Sequence, residues 1–203
     1  MVSQFSSMPT IYSIKPYFQR LLRPLLVFLV RMGVTANQVT LFALFISVGF
    51  GIYFLWVGRE IWYLMPAVFL VRMALNAIDG MIAKEFQMQS RLGVYLNEMG
   101  DMISDIFLYL PFVLVFPCLT LLFCCLSLFS EVAGVLATAI QEKRRYDGPM
   151  GKSDRAFCLG ILGFFMAFYW ISNFLGAILL GFLSILVSLT IFFRIKNALI
   201  GGR

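Results

Sequence analysis

Residues 76–101 read NAIDGMIAKEFQMQSRLGVYLNEMGD, two apolar segments joined by a short polar loop at 84–91. Each segment carries polar side chains at helical spacing. Asn76 and Asp79 are three apart and share one helix face, while Asn97, Asp101 and Asp105 recur every four residues and share another. Helices joined by so short a loop run antiparallel. Counting about 1.5 Å per residue from the loop, Asp79 and Asn97 reach a similar depth, and Asn76 and Asp101 meet about one turn further in. Four oxygen-bearing side chains thereby converge between two helices. Hard oxygen donors of this kind suit Mg²⁺ or Mn²⁺, which in turn suit phosphate substrates. The same residues would also serve to hydrogen-bond the two helices or to line a water-filled path, and spacing leaves these readings open. Gly80, Gly93 and Gly100 allow a ligand or a neighbouring backbone to come close.

The rest of the chain says what surrounds these groups. Of 203 residues, 61% are hydrophobic and only 13% charged, and the mean hydropathy is +0.91. A soluble domain carries about 25% charged residues. The composition therefore excludes a water-soluble globule, a disordered chain and a disulfide-rich secreted domain, and defines an all-α integral membrane protein. There is no histidine, which excludes a Ser-His-Asp triad, histidine acid–base chemistry and His-ligated zinc. Cys118, Cys124, Cys125 and Cys158 lie in apolar stretches without metal-like spacing and read as lipid-facing or packing residues.

Six transmembrane helices are expected: Gln38–Gly58, Trp62 to Ala83, Leu92 to Val115, Leu119 to Ile140, and two within the uncharged stretch Ala156–Phe193, which turns near Ser172, Asn173 and Gly176. Before them, Ile14, Tyr17, Phe18, Leu21, Leu22 and Leu25 line one side of an amphipathic helix, with Lys15, Arg20 and Arg23 on other faces, as expected of a helix lying in the membrane interface. The net charge of +6 is one a nucleic-acid binder would also show, but its distribution points to membrane topology. All 16 lysines and arginines except Arg59 and Arg72 fall in alternate, same-side segments, which places both termini in the cytoplasm. The chain divides into an N-terminal arm with the interfacial helix (1–37), a six-helix membrane domain (38–196) and a cytoplasmic tail (197–203).

These residues resemble the CDP-alcohol phosphotransferase (phosphatidyltransferase) family, whose signature is D-x2-D-G-x2-A-R-x8-G-x3-D-x3-D. Here the pattern runs Asn76-x2-Asp79-Gly80-x2-Ala83-Lys84-x8-Gly93-x3-Asn97-x3-Asp101, with every spacing kept. Asn37-Gln38-Val39-Thr40 is similar to the family's N-x-x-T before the first span. Two aspartates are replaced by Asn76 and Asn97, as in a small bacterial subgroup of inner-membrane members that the chain resembles. The resemblance implies a phospholipid-synthesis transferase that moves a phosphatidyl group from a CDP-lipid such as CDP-diacylglycerol to an alcohol and releases CMP. The alternative is a catalytically weakened homologue that binds a CDP-lipid or assists a partner without turnover.

By the same resemblance, Asn76, Asp79, Asn97 and Asp101 hold Mg²⁺ or Mn²⁺, and Asp101 is the base that activates the acceptor. Asn76, Asp79, Gly80, Ala83, Lys84 and Gly93 surround the CDP group. The resemblance also implies a homodimer in a bacterial-type inner membrane, with the active site facing the cytoplasm and no nucleic-acid partner. The two asparagines remove two negative charges, so either one metal binds or Asp105 supplies the missing charge; Glu98 lies about 100° off the shared face and is less suited. Lys84 in place of arginine keeps the charge but loses the bidentate fork. An alternative register makes Asp101 and Asp105 the last two acids of the motif and puts Asn97 where glycine belongs.

Two further features bear on the site. In the loop 143–155, Lys152 and Arg155 are candidates for binding the acceptor's polar group or the lipid phosphates, beside a purely topogenic role, and Ser153 or Asp154 is suited to cap the following helix. Arg72, one turn from Asn76, either faces the site or, as the favoured reading, pairs with Glu131 in the fourth span.

Overall fold

The computed structural model describes residues 15–141 and 143–200. Ile14 of the expected amphipathic helix and Arg203 of the tail lie outside them. The described residues form an all-helical bundle: α1 (Lys15–Arg31), α2 (Ala36–Val57), α3 (Met65–Glu85), α4 (Arg91–Tyr109), α5 (Pro117–Leu136), the short α6 (Thr138–Gln141), α7 (Lys152–Ala167) and α8 (Asn173–Ile200). Single 3-10 segments at Arg59–Leu64 and Leu110–Leu114 precede α3 and follow α4.

The helix ends follow local chemistry. Thr35 caps α2 with a capping box: its hydroxyl accepts from the Gln38 N–H at 3.4 Å, and the Gln38 amide oxygen accepts from the Thr35 N–H at 2.9 Å. Pro117 opens α5 at a position where its missing N–H costs nothing. Ser90 starts α4 by accepting from the Gly93 N–H at 2.9 Å. At the start of α7, the Asp154 carboxylate accepts from the Gly151 N–H at 3.0 Å. The expected turn near Ser172 is present, with the Ser172 hydroxyl accepting from the Leu175 N–H at 3.2 Å.

Among the described residues, four helical stretches are long and apolar enough to cross a membrane: Ala36–Val57, Arg59–Glu85, Pro117–Gln141 and Asn173–Ile200. The other two expected crossings are α4 and α7. α4 carries Glu98, Asp101 and Asp105, and α7 has 16 residues, about 24 Å of helix against a hydrocarbon core of about 30 Å. α8 continues through Ile200, so 197–200 extend the last helix; the Gln141 side chain donates to the Asn197 carbonyl at 2.8 Å.

α2 packs on α3 and α4, α3 on α7, and α5 on α8, while α1 lies against α3. At the α2–α4 contact, a Cβ on Gly51 would overlap the Phe107 carbonyl, so only glycine lets these backbones meet. Gly148, at φ +113°, turns the loop against Thr190 of α8. The main core joins Phe54, Trp62, Phe69, Tyr109, Phe112 and Phe123, and a second cluster sets Leu26 of α1 against Val39, Ile78 and Ile82. Large apolar side chains also cover the outside. Trp56 is 84% and Phe174 78% exposed, an arrangement that suits hydrocarbon rather than water.

Candidate active site

The α3–α4 pair meets as the residue count requires. At one level the Asn97 amide donates to Asp79 Oδ2 at 3.4 Å; at the next, the Asn76 amide donates to Asp101 Oδ1 at 2.7 Å. Residue numbers that rise on one helix as they fall on the other mean an antiparallel pair. α2 supplies a third wall: the Thr40 hydroxyl donates to Asp79 Oδ2 at 2.9 Å. Asp79 is 2% exposed, and its second oxygen, Oδ1, is buried without a hydrogen-bond partner. A buried carboxylate oxygen left bare is costly unless a ligand completes it.

A cleft of about 350 Å³ opens beside Asp79. Gly80, Ala83, Lys84, Gly93 and Asn97 line it together with Asn37 and Thr40. A Cβ on Gly80 would meet nothing within 4 Å, so its hydrogen leaves space inside the cleft rather than relieving a clash. Gly93 differs: a Cβ there would come within 2.7 Å of Asn37 Oδ1 and 3.0 Å of Ser90 Oγ. The cleft thus sets Asp79, Gly80, Ala83 and Lys84 of α3 opposite Gly93 and Asn97 of α4. Asn76 and Asp101 sit together one turn further in, beside Lys152 and Arg72.

Asp101 is already engaged. Besides Asn76, its Oδ2 takes an ion pair from Lys152, and Arg72 approaches Oδ1 at 3.6 Å while donating to the Asp101 carbonyl at 3.1 Å. Asp105, four residues on, lies between Arg72 at 2.5 Å and Arg155 at 3.1 Å. Both arginines are buried, and Asp105 is 4% exposed, so its charge is balanced inside the bundle and does not reach the cleft to make up for the asparagines. That placement also removes the geometric basis of the alternative register.

The sequence favours pairing Arg72 with Glu131. Arg72 pairs instead with Asp101 and Asp105, because α3 faces α4 at this level, while Glu131 on α5 faces the loop after α6 and the helices α7 and α8. Glu131 is held by Arg155 at 2.8 Å, Arg144 at 2.7 Å and Arg194 at 3.4 Å. Arg155 is 0% exposed and is not among the cleft-lining residues. Arg144 also pairs with Glu98. Burial works against the Arg144 charge, but the two glutamates outweigh it and raise its pKa above the ordinary arginine value.

Residue spacing alone did not reveal two parts of the site. Thr40 and Asn37 come from α2, and only the N-x-x-T-like segment marked them. The Glu131 network carried no sequence signal beyond the presence of charges in apolar helices.

The donor set bears on a metal. No group of three or more acidic or cysteine side chains able to hold an ion occurs among the described residues. The oxygens that remain are those of Asp79, Asp101, Asn76 and Asn97, and of Glu98, which lines the cleft beside Asn97 with Oε1 held by Arg144 and Oε2 buried and bare. Oxygen donors of this kind suit a hard divalent ion with Asp79 as its anchor, and an ion there would turn the Asn76 and Asn97 amides over, since their N–H groups now donate to the two carboxylates.

Residues 33–194 match the CDP-alcohol phosphatidyltransferase family, and the chain belongs to that family. It is a multi-pass membrane protein of the phospholipid-synthesis transferase type. It is 47% identical over 167 residues to the inner membrane protein YnbA of Escherichia coli K12, covering 79% of this chain and 82% of that one. An uncharacterized protein of Aquifex aeolicus is 32% identical over 176 residues, covering 85% and 82% respectively. In fold, the chain is similar to the Mycobacterium tuberculosis phosphatidylinositol phosphate synthase PgsA1 crystallised with CDP-DAG, with a TM-score of 0.74 at 19% identity over 88% of this chain and 94% of that one. The same enzyme with manganese and citrate gives a TM-score of 0.68 at 19% identity, covering 87% and 88%.

Proposed function

We propose that this protein transfers a phosphatidyl group from a CDP-lipid such as CDP-diacylglycerol to an alcohol and releases CMP. The observation that carries the reading is the cleft that Gly80, Ala83, Lys84 and Gly93 line together with Asp79, whose bare oxygen points to a cationic ligand. The fold neighbour's complex with CDP-DAG supports the donor class. Gly80 leaves room for the nucleotide, and the exposed Lys84 ammonium meets diphosphate oxygens. Asp79, Asp101 and the amide oxygens of Asn76 and Asn97 would hold Mg²⁺ or Mn²⁺, which when bound neutralises diphosphate charge and orients the phosphorus for in-line attack. Asp101, oriented by Asn76, takes the proton of the acceptor hydroxyl as its oxygen bonds to the lipid-side phosphorus and the bond to CMP breaks. Lys152 meets lipid phosphate or the acceptor's polar group, and Arg155 steadies that end of α7 from within the bundle.

The setting is a bacterial-type inner membrane crossed six times, with α4 and α7 as the shorter, polar crossings packed inside the others. α1 lies in the interface, both termini and the cleft face the cytoplasm, and two chains form a homodimer. The cation distribution supports this orientation, and the inner-membrane relative supports the location.

The test is CMP release from CDP-diacylglycerol by purified protein with Mn²⁺ and pooled alcohols. Wild type is expected to release CMP only with metal, and Asp101→Asn is expected to lose about 100- to 10,000-fold while still binding donor. The engagement of Asp101 by Lys152, Asn76 and Arg72 favours one second reading, a CDP-lipid binder without turnover. Donor binding with no CMP release from any pool would establish that reading and overturn the first.

A further inference from the structure

The two carboxylates that remain in the motif are not equivalent. Asp79 keeps one oxygen buried and bare, its other oxygen taking hydrogen bonds from Thr40 and Asn97. Asp101 has both oxygens occupied: Oδ1 by the Asn76 amide at 2.7 Å, and Oδ2 by the Lys152 ammonium. One half of the site lacks a cation, and the other half already holds the Lys152 ammonium, with the Arg72 guanidinium, shared with Asp105, 3.6 Å from Oδ1. Lys152 is the first residue of α7, held there by the Asp154 cap on the Gly151 N–H, with a side chain 23% exposed. It is a compact point charge fixed at the end of a helix, in a position where a metal ion would otherwise balance Asp101.

Charge counting points the same way. Four aspartates would balance two dications. With Arg72 balanced by Asp105 and Arg144 by Glu98, Asp79 and Asp101 with one dication and one ammonium leave a single positive charge, ready for a diphosphate. A second dication beside Lys152 would leave three positive charges in a half-buried site, with two amides that cannot offset them.

We propose that the Lys152 ammonium permanently holds the place of a second cation, so that this site is completed by a single divalent metal ion anchored on Asp79. The inference rests on reading the α3–α4 pair as a divalent-metal site, and its test needs no lipid and no turnover. Mn²⁺ is titrated into the detergent-purified full-length chain, and free Mn²⁺ is counted from its paramagnetic resonance signal. Wild type is expected to bind one Mn²⁺ per chain, and Asp79→Asn none. Asn97→Asp is expected still to bind one, about tenfold more tightly. Asn97→Asp with Lys152→Met is expected to bind two, and Asn97→Asp with Lys152→Arg one.

Two ions on the wild type, or none, would overturn the proposal. So would a single ion on the Asn97→Asp, Lys152→Met protein, because Lys152 would then not be what excludes the second. If that double variant does not elute as a folded species, Asn97→Asp with Lys152→Gln replaces it, with the same expectation. Failure of CMP release alongside the expected metal counts would sink the transferase reading and leave this one standing.

Discussion

Thr40 and Gly80 test the cleft from opposite sides. The Thr40 hydroxyl is one of two donors to Asp79 Oδ2, and Thr40→Val removes it without changing volume. Oδ2 keeps the Asn97 amide, so the loss is that of one hydrogen bond to a charged acceptor, about 1.5–3 kcal/mol. Thr40→Val is therefore expected to lower unfolding stability in detergent by that amount, measured by denaturant titration, and to weaken Mn²⁺ binding. Gly80→Leu should do the reverse. Nothing lies within 4 Å of a Cβ there, and leucine gains up to about 1 kcal/mol over glycine in a helix. The variant is expected to melt no lower than wild type and to lose CDP-diacylglycerol binding at least tenfold, read by equilibrium binding. A drop in melting temperature would show that the space at Gly80 belongs to packing. At this scale the sequence was most legible. The three- and four-residue spacings of Asn76, Asp79, Asn97 and Asp101 fix which pairs meet, because helical rise and a short loop leave no freedom. Thr40 was less visible, since nothing in α2's own periodicity says that its hydroxyl faces α3.

Among the elements, α5 carries the charge on which several others depend. Glu131 accepts from arginines of α7, α8 and the preceding loop, and Arg155 passes the connection on to Asp105 of α4 and so to Arg72 of α3. Removing one partner of a buried pair leaves an uncompensated charge, at about 3–5 kcal/mol. Glu131→Ala is expected to cost at least that much in a detergent unfolding titration. Glu85→Ala, which breaks the exposed Arg23 pair at 3.0 Å, is expected to cost under about 1 kcal/mol. Equal effects would mean that the network contributes no more than a surface pair. The partners here were not legible in advance. Depth along a helix can be counted from a sequence, but which neighbour a side chain faces depends on the rotation and crossing of helices far apart in the chain, and so Arg72 was assigned to Glu131 rather than to Asp105.

For the whole molecule, the apolar runs locate every long helix, because a membrane span has to be apolar over most of its length, but not every end: α4 stops at Tyr109 rather than Val115, and α8 runs past Phe193 to Ile200. α4 and α7 were harder to judge: one is interrupted by the acids of the site, and the other is short. The proposed arrangement, six spans with both termini inside, gives a direct expectation. A fluorescent protein that matures only in the cytoplasm is expected to glow when fused after Arg203 and to stay dark when fused to a chain truncated after Gly58, whereas a periplasm-active phosphatase should give the opposite pattern. Fluorescence at both positions would overturn the topology.

The Glu131 network also has a history to predict. Three arginines share one acid in the interior, so a lineage cannot lose Glu131 first and repair the arginines later without passing through a poorly folded protein. Among relatives, Glu131, Arg155, Arg194 and Asp105 should therefore be inherited or replaced as a set. A relative keeping all three arginines around a neutral residue at 131 would need a new acid on a facing helix, and the position of that acid could be read from its sequence.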